Sequence, residues 1–196
     1  MISPYFIFVG VALSLYGGIN YFLDTIQGKV QPNKLSWFLW ALAPLIAFSA
    51  ELQQGVGLQS LMTFIVGFNP LIIFIGSFVN KKAYWKLTAF DIACGFLSLA
   101  GLGLWYVTKT GNIAIIFSII ADLLAGIPTV RKSFYAPQTE SYKVFFYGLI
   151  NAVITLLTIT KWNLAYVGFP IYIICFNTVE VLLIKYKLGT HLRKVL

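Results

Sequence analysis

Seven apolar stretches, each about 20 residues long, occupy most of this sequence. They cover residues 2–23, 34–53, 58–79, 86–108, 112–130, 142–160 and 164–185. A bilayer core about 30 Å thick needs roughly 20 apolar residues for each helix that crosses it. The connections between the stretches are short and carry turn or charged residues. The sequence therefore predicts an all-α membrane protein with seven transmembrane helices.

Composition excludes a water-soluble domain. Of the 196 residues, 59% are hydrophobic and only 10% are charged, and the mean hydropathy is +0.85. Ordinary globular domains carry about 25% charged residues. The first stretch has no basic leader and no small-residue cleavage site, so we expect it to remain as a helix. Both cysteines, Cys94 and Cys175, fall in apolar stretches, which favours buried thiols over a disulfide or a metal site.

The basic residues are distributed unequally between the two sides that seven crossings would create. One side would hold Lys29, Lys34, Lys81, Lys82, Lys86, Arg131, Lys132, Lys143, Lys185, Lys187, Arg193 and Lys194, and the other Lys109 and Lys161. Basic loops stay in the cytoplasm, which predicts an outside or lumenal N-terminus and a cytoplasmic C-terminus. The net charge of +8 is spread over separate short loops. We therefore expect a lipid bilayer as partner and no nucleic acid.

Two polar loops repeat at a fixed spacing. Pro32 and Pro137 are separated by 137 − 32 = 105 residues. The same offset superposes Ser36 on Ser141, Trp37 on Tyr142 and Trp40 on Phe145. Further along, residues 66–68 and 167–169 both read Val-Gly-Phe, at an offset of 101. A shorter connection between the sixth and seventh helices would account for the difference of four residues.

The repeat predicts how the helices are arranged. Each copy contains three helices, and the stretch at 86–108 has no counterpart. Three helices reverse the direction of the chain and a fourth restores it, so both copies would cross the membrane in the same orientation. We therefore expect a 3+1+3 arrangement of two parallel triple-helix bundles. Residues 1–80 would form the first bundle, 81–110 a linker helix, and 111–196 the second bundle with a short basic tail.

The polar loops resemble those of a known family. Pro137-Gln138 before a Ser-aromatic helix start, with the reversed pair Gln31-Pro32 at the earlier position, is similar to the PQ-loop superfamily. That group includes SWEET sugar transporters and cystinosin-like amino-acid exporters. The resemblance implies a secondary transporter that moves a small polar solute, a sugar or an amino acid, by alternating access through a central path. It implies no cofactor.

Two aspartates lie inside predicted spans. Asp122 is eight residues from the end of its stretch at Val130, which places it about 12 Å deep, and Asp91 is about 8 Å deep. A carboxylate at such depth is unfavourable unless it is paired, protonated or facing water. We predict that no Lys, Arg or His lies deep in any span, which favours protonation of Asp122. The remaining carboxylates are expected to be solvated at helix ends or in loops, namely Asp24, Glu51, Glu140 and Glu180.

Amides and aromatic residues are the candidate solute ligands. Asn69, Asn151 and Asn177 lie in apolar stretches, and an amide can both donate to and accept from a hydroxylated or zwitterionic solute. SWEET proteins are similar in placing asparagines on the third and seventh helices, which here are Asn69 and Asn177. Trp40 and Phe145, one turn inside the second and sixth helices, could form facing aromatic walls.

Four prolines lie inside or at the edges of the predicted spans: Pro44, Pro70, Pro128 and Pro170. Proline leaves a backbone carbonyl unpaired and disfavours helix in the preceding residue. On the same grounds we expect Pro32 and Pro137 to end helices at the cytoplasmic face. The resemblance to SWEET proteins, which use helix-kinking prolines as hinges, makes Pro44 and Pro128 the candidate hinges.

Several alternatives stay open at this level. A passive sugar facilitator would need no coupling aspartate, and a receptor of the KDEL-receptor type shares the helix layout without transporting. A PnuC-type vitamin carrier is suggested by Trp37 and Trp40, although Pro44 stands where that family has an asparagine. A retinal protein needs a lysine at mid-membrane, and Lys185 lies at a helix end. An intramembrane enzyme is disfavoured because the one histidine, His191, lies in the tail and no catalytic or metal motif appears. Association of several copies is compatible with the sequence.

Overall fold

A computed structural model of the chain describes residues 2–81, 85–108 and 111–195, with side chains at all of these except 101, 104–108, 194 and 195. Lys82 and Lys109 lie outside the described residues. Eight α-helices and one short 3₁₀ turn make up the regular structure of the described part. They are α1 Phe6–Ile26, α2 Lys34–Gln53, α3 Ser60–Gly76, α4 Ala89–Thr108, α5 Gly111–Tyr135, the 3₁₀ turn Pro137–Thr139, α6 Tyr142–Thr158, α7 Leu164–Ile184 and α8 Leu188–Val195. The predicted all-α class is confirmed.

Four helices are long and apolar enough to cross a membrane, namely α1, α2, α5 and α7. Three further apolar segments are shorter: Ser60–Gly76, Ala89–Ala100 and Tyr142–Thr158. Large apolar side chains cover the outer surface, and Phe96 of α4 is 73% exposed. An apolar exterior of this kind is stable only in lipid or against another protein surface. The chain is therefore a membrane-embedded helical protein.

Local sequence features determine where α1 ends and where α2 begins. Gly28 has a positive φ of 72°, and the backbone N–H groups of Gln27 and Gly28 return to Leu23 and Thr25, a helix ending that glycine permits. The Asn33 side-chain Oδ1 then accepts bonds from the backbone N–H groups of Leu35 and Ser36 in the first turn of α2. The prediction that Pro32 ends a helix is therefore wrong, because α1 stops at Ile26 through Gly28.

Helix α5 is longer than the sequence predicted. The stretch was expected to end at Val130, but the helix continues to Tyr135. The extension brings Lys132 and Ser133 into the protein interior, where both are buried. Pro137 follows two residues after the end of α5, as expected of a residue that disfavours helix before it. The expected loop at Arg131-Lys132 is therefore part of α5.

The four prolines Pro44, Pro70, Pro128 and Pro170 all lie inside helices, one each in α2, α3, α5 and α7. The two hinge candidates, Pro44 and Pro128, are both buried. In each case the carbonyl one turn earlier loses its helical donor. These positions are the points at which a packed helix bends most readily.

The helices pack in matching pairs. Helix α3 packs against α1 and α2, and α7 packs against α5 and α6. Helix α1 packs against α6, and α2 packs against α5. If α1, α2 and α3 take the places of α5, α6 and α7, and the reverse, each of these contacts becomes another contact that the structure also contains. The contact of α1 with α6, for example, becomes the contact of α5 with α2. Helix α4 packs against α5 and α2 and has no equivalent in this scheme.

Candidate solute site

A small cavity of about 60 Å³ lies at the centre of the bundle. Six helices line it, with Ser14 from α1, Trp37 and Trp40 from α2, Val66, Asn69 and Pro70 from α3, Asp122 from α5, Val144, Phe145 and Gly148 from α6, and Ile173, Phe176 and Asn177 from α7. By this measure one water takes about 10–15 Å³. The cavity therefore has room for a few waters and is too small for a sugar.

Asp122 provides the carboxyl group of the cavity. It is 3% exposed, and its Oδ2 accepts a hydrogen bond of 2.7 Å from the hydroxyl of Tyr172 on α7. Its Oδ1 is buried without a hydrogen-bond partner. The indole N–H of Trp40 donates to the backbone carbonyl of Asp122 at 3.0 Å. The carboxyl is thus held by the second half of the chain, and α2 of the first half is fixed to the same residue.

Two amides flank this carboxyl. The Asn69 side-chain nitrogen donates to the Ser14 carbonyl at 2.9 Å and to the Ser14 hydroxyl at 3.2 Å. The Asn69 Oδ1 has no partner. Glycines allow both amides to approach the neighbouring helices: a Cβ at Gly18 would lie 2.3 Å from Asn69 Oδ1, and one at Gly148 would lie 2.6 Å from Asn177 Nδ2. The cavity therefore offers unused hydrogen-bonding capacity on α3.

Aromatic rings form the walls. The Trp40 ring lies edge-on to Phe145 of α6 at 6.1 Å between centroids and to Phe176 of α7 at 5.6 Å. Trp37 packs edge-on against Trp40 at 5.1 Å. Edge-to-face pairs of this kind prefer such spacings. The walls are thus apolar and ordered, while the polar groups are few and specifically placed, as in many small-molecule sites.

The lining residues repeat between the two halves of the chain. Trp40 and Phe145 both face the cavity, which keeps the offset of 145 − 40 = 105. On α3 and α7 the lining triads are Val66, Asn69, Pro70 and Ile173, Phe176, Asn177, with an offset of 173 − 66 = 107. The Val-Gly-Phe pair at an offset of 101 therefore does not mark equivalent cavity positions.

Four of the five predicted solute ligands line the cavity: Trp40, Asn69, Phe145 and Asn177. Asn151 does not. It is fully buried in α6, and its neighbour is α1, where a Cβ at Gly10 would lie 2.4 Å from its Oδ1. The direction in which a helix residue points depends on the rotation of the helix, which the sequence alone did not determine for α6.

The two predicted proton-coupling aspartates are in different surroundings. Asp122 lines the cavity, whereas Asp91 lies in the first turn of α4. Asp91 Oδ2 accepts from the Thr88 backbone at 2.6 Å and from the Thr88 hydroxyl at 3.0 Å, and the Thr88 hydroxyl accepts from the Asp91 backbone at 3.3 Å. This reciprocal arrangement is a capping box. Asp91 therefore stabilises the start of α4 and is not part of the cavity.

The two polar loops meet at one end of the bundle, which we call the loop end and define by residues 27–33 and 136–141. The Gln31 backbone N–H donates to the Thr139 carbonyl at 3.0 Å. The Lys132 ammonium contacts the Gln31 carbonyl and forms a salt bridge of 2.7 Å with Glu140. The Tyr21 hydroxyl donates to the other Glu140 oxygen at 2.5 Å. The Pro32 and Pro137 side chains are buried beside this contact, while Gln138 is exposed.

Three expectations about acidic residues are therefore wrong. Glu140, Glu51 and Glu180 were expected to be solvated, but they are 7%, 2% and 0% exposed. Glu140 is buried because Lys132 and Tyr21 satisfy both of its oxygens. The Glu51 carboxylate accepts from the Thr63 hydroxyl at 2.9 Å. Lys132, which was expected between two spans, lies in the last turn of α5 and is buried because the helix extends past Val130.

Sequence reasoning missed Ser14, Trp37, Phe176 and Tyr172 as parts of the site. Ser14 is a single hydroxyl within an apolar stretch, and such a group usually bonds to its own helix. Tyr172 bonds to Asp122 of another helix, a partner that lies 50 residues away in the sequence. Trp37 is 1% exposed and was noted in the repeat and in the comparison with PnuC-type carriers, but not as a cavity residue. The i, i+3, i+4 spacing of residues 173, 176 and 177 is the one signal that could have placed Phe176 beside Asn177 on a single face.

No group of three His, Cys, Asp or Glu side chains that could hold a metal ion occurs in the described part of the chain. No protein-family model, curated protein or solved structure matches this chain.

Proposed function

We propose that this chain is a secondary transporter that moves a small polar solute through the membrane by alternating access. In this proposal α1–α3 and α5–α7 are two parallel triple-helix bundles and α4 is the linker helix between them. The exchange of helix contacts between the two triplets supports this arrangement. So does the shared offset of 105 residues between Trp40 and Phe145 at the cavity. The resemblance of the polar loops to the PQ-loop superfamily agrees with it.

The observation that carries the proposal is the central cavity, which residues of both triplets line. Its few hydrogen-bonding groups include the free Asn69 Oδ1 and Asp122 Oδ1. These groups suit a solute with several hydroxyl or amino groups. A cavity of about 60 Å³ must enlarge to admit such a solute. Movement of one triplet relative to the other would enlarge it, and Pro44 and Pro128 are placed to permit that movement.

Proton coupling through Asp122 is the second part of the proposal. The described residues include no salt-bridge partner for Asp122. An ionised carboxylate enclosed without a cation costs several kcal/mol, so the closed state favours the protonated acid. Opening of the cavity to water removes that cost and permits release of the proton. A passive facilitator has no need of this group.

The loop end is assigned to the cytoplasm. Most of the basic residues lie on that side, and basic loops are retained in the cytoplasm. The amphipathic α8, with Arg193 bonded to carbonyls of Phe134 and Tyr135 at the end of α5, lies at the same end. Helices of this type lie in the membrane interface.

Reconstitution into liposomes that contain a pH-sensitive dye tests the function. We expect one member of a panel of sugars and amino acids to acidify or alkalinise the lumen in a solute-dependent manner. Asp122→Asn should abolish the solute-dependent proton signal, because the amide cannot exchange a proton, while Asp91→Asn serves as a matched aspartate outside the cavity. Solute flux without any proton signal would favour a facilitator. Solute binding without flux would favour a receptor.

A further inference from the structure

The buried charges at the loop end do not balance. Lys132, Glu140 and Glu180 are all at most 7% exposed. The Lys132 ammonium is occupied by Glu140 at 2.7 Å, by the Gln31 carbonyl and by the Trp85 ring at 4.8 Å. Lys132 and Glu140 neutralise each other, which leaves Glu180 as one acid in excess.

Glu180 is fully enclosed and unsatisfied. It is 0% exposed, and neither of its oxygens has a hydrogen-bond partner. Ser133 of α5 is its polar neighbour, and the hydroxyls of Ser133 and Thr129 are likewise buried without partners. An isolated carboxylate in such a place is strongly unfavourable, whereas the neutral acid can both donate and accept.

The charged groups around Glu180 can be identified helix by helix. Lys132 of α5 and Glu140 after the 3₁₀ turn act on it directly, and Tyr21 of α1 and Tyr172 of its own helix also lie within electrostatic range. Helix α3 contains no ionisable residue, and α2 carries Lys34 and Glu51 at its two ends. Helix α6 carries Tyr142, Lys143 and Tyr147, and α8 carries His191, Arg193 and Lys194. Lys185 lies over the Tyr142 and Phe146 rings at 5.2 and 5.6 Å.

We propose that Glu180 is a second proton-binding site, separate from Asp122, and that its proton controls the closure of the loop end. With the proton bound, Glu180 is neutral and Lys132 stays with Glu140 and Gln31. Once the proton leaves, the Glu180 carboxylate competes with Glu140 for Lys132. That competition draws Lys132 away from the Gln31 carbonyl and leaves the Glu140 carboxylate, to which Tyr21 donates, without its cation. An enclosed carboxylate without a cation is unfavourable, which favours separation of the two loops and entry of water.

The site is distinct from the cavity in position. Glu180 and Tyr172 are eight residues apart on α7, or about 12 Å along the helix axis. Tyr172 bonds to Asp122, so the two acids lie at different depths along α7. This inference deepens the proposed function, on which its connection to transport rests, but the closure it describes can be measured without transport.

Infrared spectroscopy of the full chain in lipid nanodiscs tests the proton site. Protonated carboxyl groups give a C=O band that ionised groups lack. We expect the wild type to lose acid bands as the buffer becomes alkaline, with one component absent in Glu180→Gln and a different one absent in Asp122→Asn. Glu51→Gln is the matched control, because it removes a buried glutamate far from the loop end. A Glu180→Gln spectrum identical to that of the wild type would overturn the proposal.

Distances between spin labels test the closure. Gln27 and Gln138 are exposed and lie at the loop end on different halves of the chain, so cysteines placed there report its opening in a chain whose native cysteines are replaced. We expect the distance to increase with pH in the wild type and in Glu51→Gln. In Glu180→Gln it should stay short at every pH, because the amide mimics the neutral acid. A pH response unchanged by Glu180→Gln would overturn the proposal.

If Glu180→Gln fails to fold, two other measurements still test the proton site. Glu180→Asp retains an acid and should retain the pH response. In Glu51→Gln, ¹³C labelling of glutamate carboxyls leaves only Glu140 and Glu180 labelled, and Glu140 is held in a salt bridge with Lys132. A titrating glutamate acid band there is therefore assigned to Glu180, without a change at residue 180. Absence of any titrating glutamate acid band there would refute the site. If the glutamate band and the distance change are present while liposomes show no solute flux, the proposed function fails and the Glu180 site stands.

Discussion

The two ends of the bundle are closed by different kinds of contact. At the loop end, Tyr21 and Gln31 of the first half bond to Glu140 and Lys132, which form a buried salt bridge within the second half. The bond from Tyr21 to Glu140 is 2.5 Å long. At the opposite end, which we define by residues 54–59 and 159–163, neutral groups bond to backbone carbonyls. The exposed Tyr166 hydroxyl donates to Gly55 at 3.0 Å, and the Gln59 amide donates to Thr158 at 3.4 Å.

The difference indicates which end opens more readily. Buried contacts to charged groups contribute more than neutral exposed ones, and they leave an unpaired charge behind when they break. The loop end should therefore separate only when its charges are rearranged, whereas the opposite end should separate on thermal fluctuation. In a transporter this asymmetry makes the loop end the controlled gate and the opposite end the resting entrance.

The largest effect is expected from Glu140→Ala. The substitution leaves the Lys132 ammonium buried without its partner, and breaking a buried pair in this way costs about 3–5 kcal/mol. We expect the free energy of unfolding in detergent micelles, followed by tryptophan fluorescence, to fall by that amount. Asp24→Asn is the control, because its ion pair with Lys29 is 4.0 Å long and partly exposed, and pairs near the surface contribute about 0–1 kcal/mol. Equal losses in both variants would mean that the buried salt bridge stabilises the loop end no more than a partly exposed ion pair at the same end.

A smaller effect is expected from Tyr21→Phe. The variant removes only the hydroxyl that reaches Glu140, and a hydrogen bond to a charged group contributes about 1.5–3 kcal/mol. The ring remains against Trp37, 4.6 Å between centroids, so packing is unchanged. Hydrogen exchange of the backbone at residues 27–33 should become faster, since the first loop loses one of its attachments. Exchange unchanged there would mean that Tyr21 does not hold the loop.

The smallest effect is expected from Tyr166→Phe, which makes the same chemical change at the opposite end. Its hydroxyl bond to Gly55 is exposed and neutral, so water replaces it at a cost below about 1 kcal/mol. We expect a measurable difference only in the exchange of backbone amides near residue 55. A loss of stability equal to or larger than that of Tyr21→Phe would reverse the order of the two ends.

The sequence predicted most of the helices because each is an apolar stretch of bilayer length. It also placed Trp40, Asn69, Phe145, Asn177 and Asp122 among the candidates, and the structure brings these five to one cavity. For Asn69, Asn177 and Asp122 the reason is physical: amide and carboxyl groups are unfavourable in lipid and therefore turn inward. Trp40 and Phe145 were placed by their shared position in the repeat. Asn151 follows the same rule, but it turns towards α1.

The loop end could not be predicted because its burial depends on partners far apart in the chain. Glu140 is buried by Tyr21, which is 119 residues away, and by Lys132, which lies in a part of α5 that the apolar pattern did not include. Glu180 appears on the sequence as a charge near a helix end. Only the packing of α7 against α5 and the 3₁₀ turn reveals that it is enclosed.

The most direct test of the account is the accessibility of Ser14 from both sides of the membrane. Ser14 is 2% exposed and lines the central cavity. We place a cysteine there in a chain without its native cysteines, with Phe96→Cys on the outer surface as the control. The account predicts that membrane-impermeant thiol reagents modify Ser14→Cys when added to either side, more slowly in the presence of a transported solute, and do not modify Phe96→Cys. Modification of Ser14→Cys from one side only, or from neither, would contradict it.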